Sequence, residues 1–305
     1  MGILQQLDVY RYTRIDPYYY LQVKDNHLLV MNKMSNAPKY QIHIRENNIE
    51  SYISKYNEKL IVENDIRMLV ESEEGSYFVH IIYKLRENIF ITEEMFTLRE
   101  WMFNNLANVD GISPRDHYHL YHYLVSKVAQ NTFLFVVTDS TVNVNSILKP
   151  FSRSINLDSF QECTEKWIII ITNSELSFAE KEKLYRAVGS DCYVLFFLQD
   201  IKNGVMKLGP RLQFPGHGCL QCETLAEERL IEHDLQLEKD PRDFYEMVDE
   251  EIFHLLIDDY FHHTRHFSSI TSKQYIFDFQ ENTVLFKQIR KNPNCEICYP
   301  LLERR

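Results

Sequence analysis

The chain has 305 residues, 45% hydrophobic and 25% charged, which is ordinary for folded soluble protein and long enough for about two domains. Its formal charge of −11 argues against a nucleic-acid backbone as the main partner, because such binding rests on clustered Lys and Arg. No run of about 18 apolar residues is present, so no membrane span is expected.

The N-terminus has no charged head leading into an apolar run, and Gln6 stands where a myristoylation motif after Gly2 wants Ser or Thr. The expected compartment is therefore the cytoplasm, where thiols stay reduced and paired cysteines signal metal more often than disulfide. The 19 Tyr and 19 Phe can fill a core without disulfides.

In chain order, residues 18–24 and 27–33 read as strands flanking Asp25-Asn26, a two-residue break suited to a hairpin. A third strand, Tyr40–Ile44, follows a turn around Asn36 and Pro38. Helical stretches follow near 48–60 and 64–71, and Phe78, Ile81, Ile82 and Leu85 lie at helical spacing within 77–85. Three strands and three helices in the first 92 residues resemble a small winged-helix module.

Residues 93–130 read as helical, with Ser113-Pro114 as a helix start. Three apolar runs, 133–137, 167–171 and 193–198, look like strands buried on both faces of a parallel sheet. A helix at 178–188 separates two of them, giving the alternation of an α/β layer. Asp240-Pro241 opens a long helix whose Phe244, Val248, Ile252, Leu255 and Leu256 share a face. The runs 273–279 and 283–289 form a closing hairpin. The fold class is thus α/β, with a division expected at 92/93.

Cys219-Leu220-Gln221-Cys222 and Cys295-Glu296-Ile297-Cys298 are two C-x-x-C halves. Each turn aims two thiolates at one point, and four at about 2.3 Å from a zinc ion close a tetrahedron with no open position. That predicts one structural zinc per chain. A chance pairing or a redox pair is the competing reading, but redox chemistry needs only one pair beside a thioredoxin-like unit. Gly216, Gly218 and Pro293 suit the tight turns, and Cys163 and Cys192 read as core residues.

The stretch from Gly209-Pro210 through Pro215-Gly216 and Gly218 into the first cysteine pair, followed by a helix containing Arg229, looks like one family. With Asn292-Pro293 before the second pair, it resembles the E1-like (ThiF-like) subunit of azoline-forming cyclodehydratases of ribosomal peptides, of microcin, streptolysin and cyanobactin type. Adenylating E1-like enzymes hold ATP on a glycine-rich loop after their first strand. Here no glycine occurs from Asn131 to Pro150, so ATP is not expected on this chain. The resemblance then implies a degenerate E1-like α/β domain with a C-terminal four-cysteine zinc clasp. A separate YcaO chain would activate the peptide, since the sequence stops seven residues past Cys298.

The resemblance also implies that the winged-helix module captures the precursor's leader segment as an added strand. The matching positions are Tyr40, Gln41, Ile42, His43 and Ile44, with Phe78, Ile81, Ile82 and Leu85 on the third helix. Tyr40, Ile42 and Ile44 fit packing of the module's own core equally well. A flavin dehydrogenase subunit and a homodimer are further partners the resemblance admits. The rival function is an adenylyltransferase acting on a peptide or protein C-terminus, and a zinc-stabilised DNA binder is disfavoured by charge.

His117, His119 and His122, and His262, His263 and His266, read as solvated histidines. Asp249, Glu250, Glu251, Asp258 and Asp259 read as a solvated helix face. No catalytic residue is assigned.

Overall fold

The computed structural model describes residues 9–298 except 45–48, 59–60, 62, 72, 110, 131–132, 139–143, 162–164, 189–191, 201, 214–217, 227, 232–242, 266–272 and 282. Cys163, Gly216, Asp240-Pro241 and His266 fall outside the described residues. The chain divides into two compact units, 1–122 and 123–305, later than the 92/93 boundary read from the sequence.

The first unit opens with β1 (Arg14–Ile15), β2 (Tyr19–Lys24), β3 (His27–Asn32) and β4 (Pro38–His43), followed by α1 (Ile49–Glu58), α2 (Glu63–Glu71) and α3 (Glu73–Leu85). Then come β5 (Phe90–Ile91), α4 (Glu93–Ala107) and α5 (Pro114–Ala129), within which the division falls. Strands β2, β3 and β4 form an antiparallel sheet in that order, and β1 pairs with β5.

Asp25 and Asn26 both take positive φ, 50° and 58°, as a two-residue turn matching the strand twist requires. Phe78 sits among Tyr52, Tyr56 and Phe90 in the core. The fully buried Asp16 is held by Arg99, by the Tyr121 hydroxyl and by the Tyr18 amide. A buried carboxylate needs that many partners to offset its lost hydration.

The second unit is built on an eight-stranded mixed sheet. Its parallel block is β6 (Phe133–Val137), β7 (Arg153–Asn156), β8 (Trp167–Thr172) and β9 (Tyr193–Asp200). Its antiparallel block is β10 (Val205–Gln213), β11 (Glu228–Ile231), β12 (Lys273–Asp278) and β13 (Thr283–Gln288). The spatial order is β11-β13-β12-β10-β9-β8-β6-β7.

All six residues of β8 are buried, as a strand covered on both faces should be. Helix α6 (Phe178–Ala187) starts with a reciprocal cap between Ser177 and Glu180. The short α7 (Leu220–Thr224) carries the first cysteine pair, and α8 is Asp243–Arg265. No helix among the described residues is long and apolar enough to cross a membrane.

Three expectations are corrected. Arg229 lies on β11 opposite Phe286, not on a helix, because α7 ends after five residues. Four of the five acids of α8 are not a solvated face, while Glu250 is exposed. Asp249 is buried against Ser146 and the Ile147 amide, and Asp259 is fully buried against Lys166 and Tyr123. Glu251 and Asp258 both grip Arg211. Nor are two of the first three histidines solvated. His117 is buried beside Tyr18, and His122 is half-buried against Tyr19, while His119 is exposed. His262 and His263 lie in α8, and their side chains are outside what is described.

Candidate functional site

The four cysteines meet as expected. Cys219, Cys222, Cys295 and Cys298 place their sulfurs within 4.8 Å of one another, and all are 9% exposed or less. The separations are 4.0 Å for Cys219–Cys222, and 3.5 Å for both Cys219–Cys295 and Cys222–Cys298. A tetrahedron with 2.3 Å zinc–sulfur bonds has edges of about 3.8 Å. The set therefore fits a tetrahedral zinc ion of the structural kind.

Each half is folded by its own backbone. The Cys222 amide bonds the Cys219 carbonyl, and the Cys295 amide bonds the Asn292 carbonyl, at 3.0 Å each. The Asn292 amide donates to the Cys222 sulfur at 3.4 Å, which favours a thiolate there. The Cys219 thiol donating to Cys222, aided by that amide, holds Cys222 down at about 4. Burial pushes Cys298 up to about 12.

Four buried thiols cannot all ionise unaided, so the arrangement calls for a cation. Gly218 sits at φ +100°, and a Cβ there would lie 3.2 Å from the backbone N and Cα of Lys291. Only glycine lets the two halves approach this closely.

The other candidate is the edge of the small sheet. In β4 only the flanking Ile44 is buried, at 4%; Tyr40 is 38% exposed, Gln41 and His43 are exposed, and Ile42 is half-buried. The Ile44 amide donates to the Asn26 carbonyl at 2.9 Å. That fixes the phase of the ladder. Tyr40 and Ile42 bond inward to β3, while Gln41 and His43 turn their backbone groups outward. Gln41 N–H, Gln41 C=O and His43 N–H find no partner among the described residues. His43 C=O accepts from the Tyr77 hydroxyl at 3.1 Å.

The opposite edge is treated differently. On β2 the outward residue Leu21 has its amide bonded to Asn57 Oδ1 at 2.9 Å, and its carbonyl to Asn57 Nδ2 at 2.7 Å. One side-chain amide from α1 thus imitates a neighbouring strand. Behind β4, the Lys39 ammonium donates to the Tyr19 hydroxyl at 2.6 Å and lies 4.8–5.5 Å from the rings of Tyr19, Tyr118 and Tyr40. The Tyr19 hydroxyl is 2.9 Å from His122 Nε2. Burial, then the Lys39 charge, hold His122 down at about 4, so it stays neutral and accepts from Tyr19.

No family model and no curated protein matches the chain. Among solved structures it is structurally similar to the heterocyclase TruD, with TM-score 0.39 and 10% identity over 93% of this chain and 42% of that one. It is also similar to the Microcin C7 biosynthetic enzyme MccB in complex with N-formylated MccA, with TM-score 0.34 and 12% identity over 93% of this chain and 99% of that one. The E. coli microcin synthetase McbBCD complex gives 0.35 and 10%, over 92% and 98%. The chain spans about two fifths of the heterocyclase it matches.

Phe78, Ile81, Ile82 and Leu85 on α3 are 9% exposed or less and face the unit's core. Tyr40 and the outward backbone of Gln41 and His43 are the accessible part of the residues singled out by sequence. Asn57 and Tyr77 were missed, and nothing in their sequence setting marks them. Their roles come from which backbone groups they reach, and only the fold decides that.

Proposed function

We propose that this chain is a non-catalytic, E1-like partner subunit of a YcaO-dependent peptide cyclodehydratase. In this reading the leader of a precursor peptide pairs with β4, and its core is presented to a separate YcaO chain for thiazoline or oxazoline formation. Residues 1–92 act as the winged-helix recognition module, and the α/β unit with its zinc clasp is the scaffold.

The observation that carries the reading is the unequal treatment of the two sheet edges. On β2 the outward Leu21 is engaged at both its backbone groups by Asn57, whereas β4 leaves Gln41 and His43 turned outward. An exposed edge is normally blunted, and one left open suits strand addition, with backbone bonds giving affinity and neighbouring pockets giving choice. The two C-x-x-C halves, with the Gly-Pro and Asn-Pro stretches before them, tie that edge to the cyclodehydratase family. Holding the leader raises the local concentration of the core at the YcaO site.

The test is affinity purification of the full chain from its native host. A YcaO chain and a short peptide should co-purify in amounts comparable to the bait. ATP–pyrophosphate exchange by the chain alone would instead establish an adenylyltransferase.

A further inference from the structure

The outward groups of β4 form a short, countable row. Gln41 offers an N–H and a C=O, and His43 an N–H, all without partners among the described residues. The fourth group, His43 C=O, is taken by the Tyr77 hydroxyl at 3.1 Å. Tyr77 lies near the start of α3 and is half-buried. At the other end of the row the ladder is broken by the irregularity between the Val30 and Met31 pairings, which leaves Lys39 out of register. Among the described residues a strand added to β4 therefore has two residues to pair with, and one of its four backbone bonds goes to an oxygen that already accepts from Tyr77.

We propose that the Tyr77 hydroxyl is a displaceable cap on the docking edge, released from His43 when a peptide strand pairs with Gln41 and His43. This rests on the edge reading given above. In the free chain the cap satisfies a carbonyl and leaves one fewer open group for unwanted pairing. On docking, the peptide N–H takes the carbonyl, and the phenol turns to water or to the peptide. The exchange is one hydrogen bond for another, so the cap lowers the affinity of every docked strand alike. It sets a threshold, and the peptide's side chains must clear it.

The probe is a set of peptides selected from a displayed random library on the full-length chain, with binding measured by fluorescence anisotropy and located by amide hydrogen exchange. Gln41→Pro removes an outward N–H at a position where an edge strand tolerates proline. It tests the edge reading, whatever Tyr77 does. Tyr77→Phe tests the cap.

The expected result is protection at Gln41 and His43, loss of binding in Gln41→Pro, and about two- to tenfold tighter binding in Tyr77→Phe, the range of one net hydrogen bond. Unchanged or weaker binding in Tyr77→Phe, with protection still at β4 and an unchanged thermal midpoint, overturns the cap and leaves the edge. Selected peptides that protect no residue of β4 remove both.

Discussion

At the cysteine tetrad the polar atoms answer one another. Four sulfurs lie within 4.8 Å, the Asn292 amide donates to one of them, and the amides of Cys222 and Cys295 fold their own halves beside a glycine with no side chain. At β4 the backbone groups of Gln41 and His43 are turned outward, and among the described residues one tyrosine hydroxyl covers them. The contrast teaches that the larger unit gathers four buried thiols into a set that fits a zinc ion, whereas the smaller sheet turns backbone groups of β4 outward. The Asn57 clasp shows that an outward residue of this sheet can be engaged by a side chain, as Leu21 is on the other edge.

The strongest way to break the comparison is to open the closed site. Cys295→Ser removes one thiolate, and because structural zinc binding is coupled to folding, the loss should be on the order of 5 kcal/mol in the second unit. Zinc content by atomic absorption and near-ultraviolet circular dichroism would both fall; a folded, zinc-loaded variant would refute the clasp. Gly218→Ala strains the same site without touching a ligand. With φ at +100° and Lys291 backbone at 3.2 Å, it should cost about 1–3 kcal/mol by urea unfolding.

The next prediction concerns the network behind the open edge. His122 is held down at about 4 against an ordinary value of 6.5. The unfolded chain therefore takes up the proton first as pH falls. Stability should drop between pH 6.5 and about 4, by about 1–2 kcal/mol after allowing for partial exposure. His122→Gln should flatten that part of the pH profile; an identical slope would show that His122 does not titrate with folding. Smallest of all, Asn57→Ala should cost about 1 kcal/mol and raise amide exchange at Leu21, making the two edges alike.

The apolar strands β6, β8 and β9 were legible because branched and aromatic runs bounded by polar residues suit no other place. The tetrad was legible because its spacing is stereochemical. β10 was not, since Gly209-Pro210 punctuates it. The structure accommodates the proline where the ladder with β9 breaks, between Leu208 and Arg211, and Gly209 at φ +85° lies where a Cβ would be 2.4 Å from the Lys273 carbonyl oxygen.

β1, β5 and β7, of two to four residues, are too short to show a period. The acids of α8 were misread because a charge run looks the same whether water or a half-buried lysine answers it. Asp259 is answered by Lys166, 93 positions away. The β4 edge was visible as a strand but not as an edge, since strand order is a property of the sheet.

The order β13-β12-β10-β9 has a consequence for biosynthesis. A chain leaving the ribosome can assemble β6 through β9 early, but the far side of β10 has no neighbour until Lys273–Asp278 has emerged. For that interval the nascent protein carries a bare, apolar-flanked strand. A premature stop anywhere before the closing hairpin would leave it bare for good, so truncated products of this gene should be aggregates rather than small folded domains.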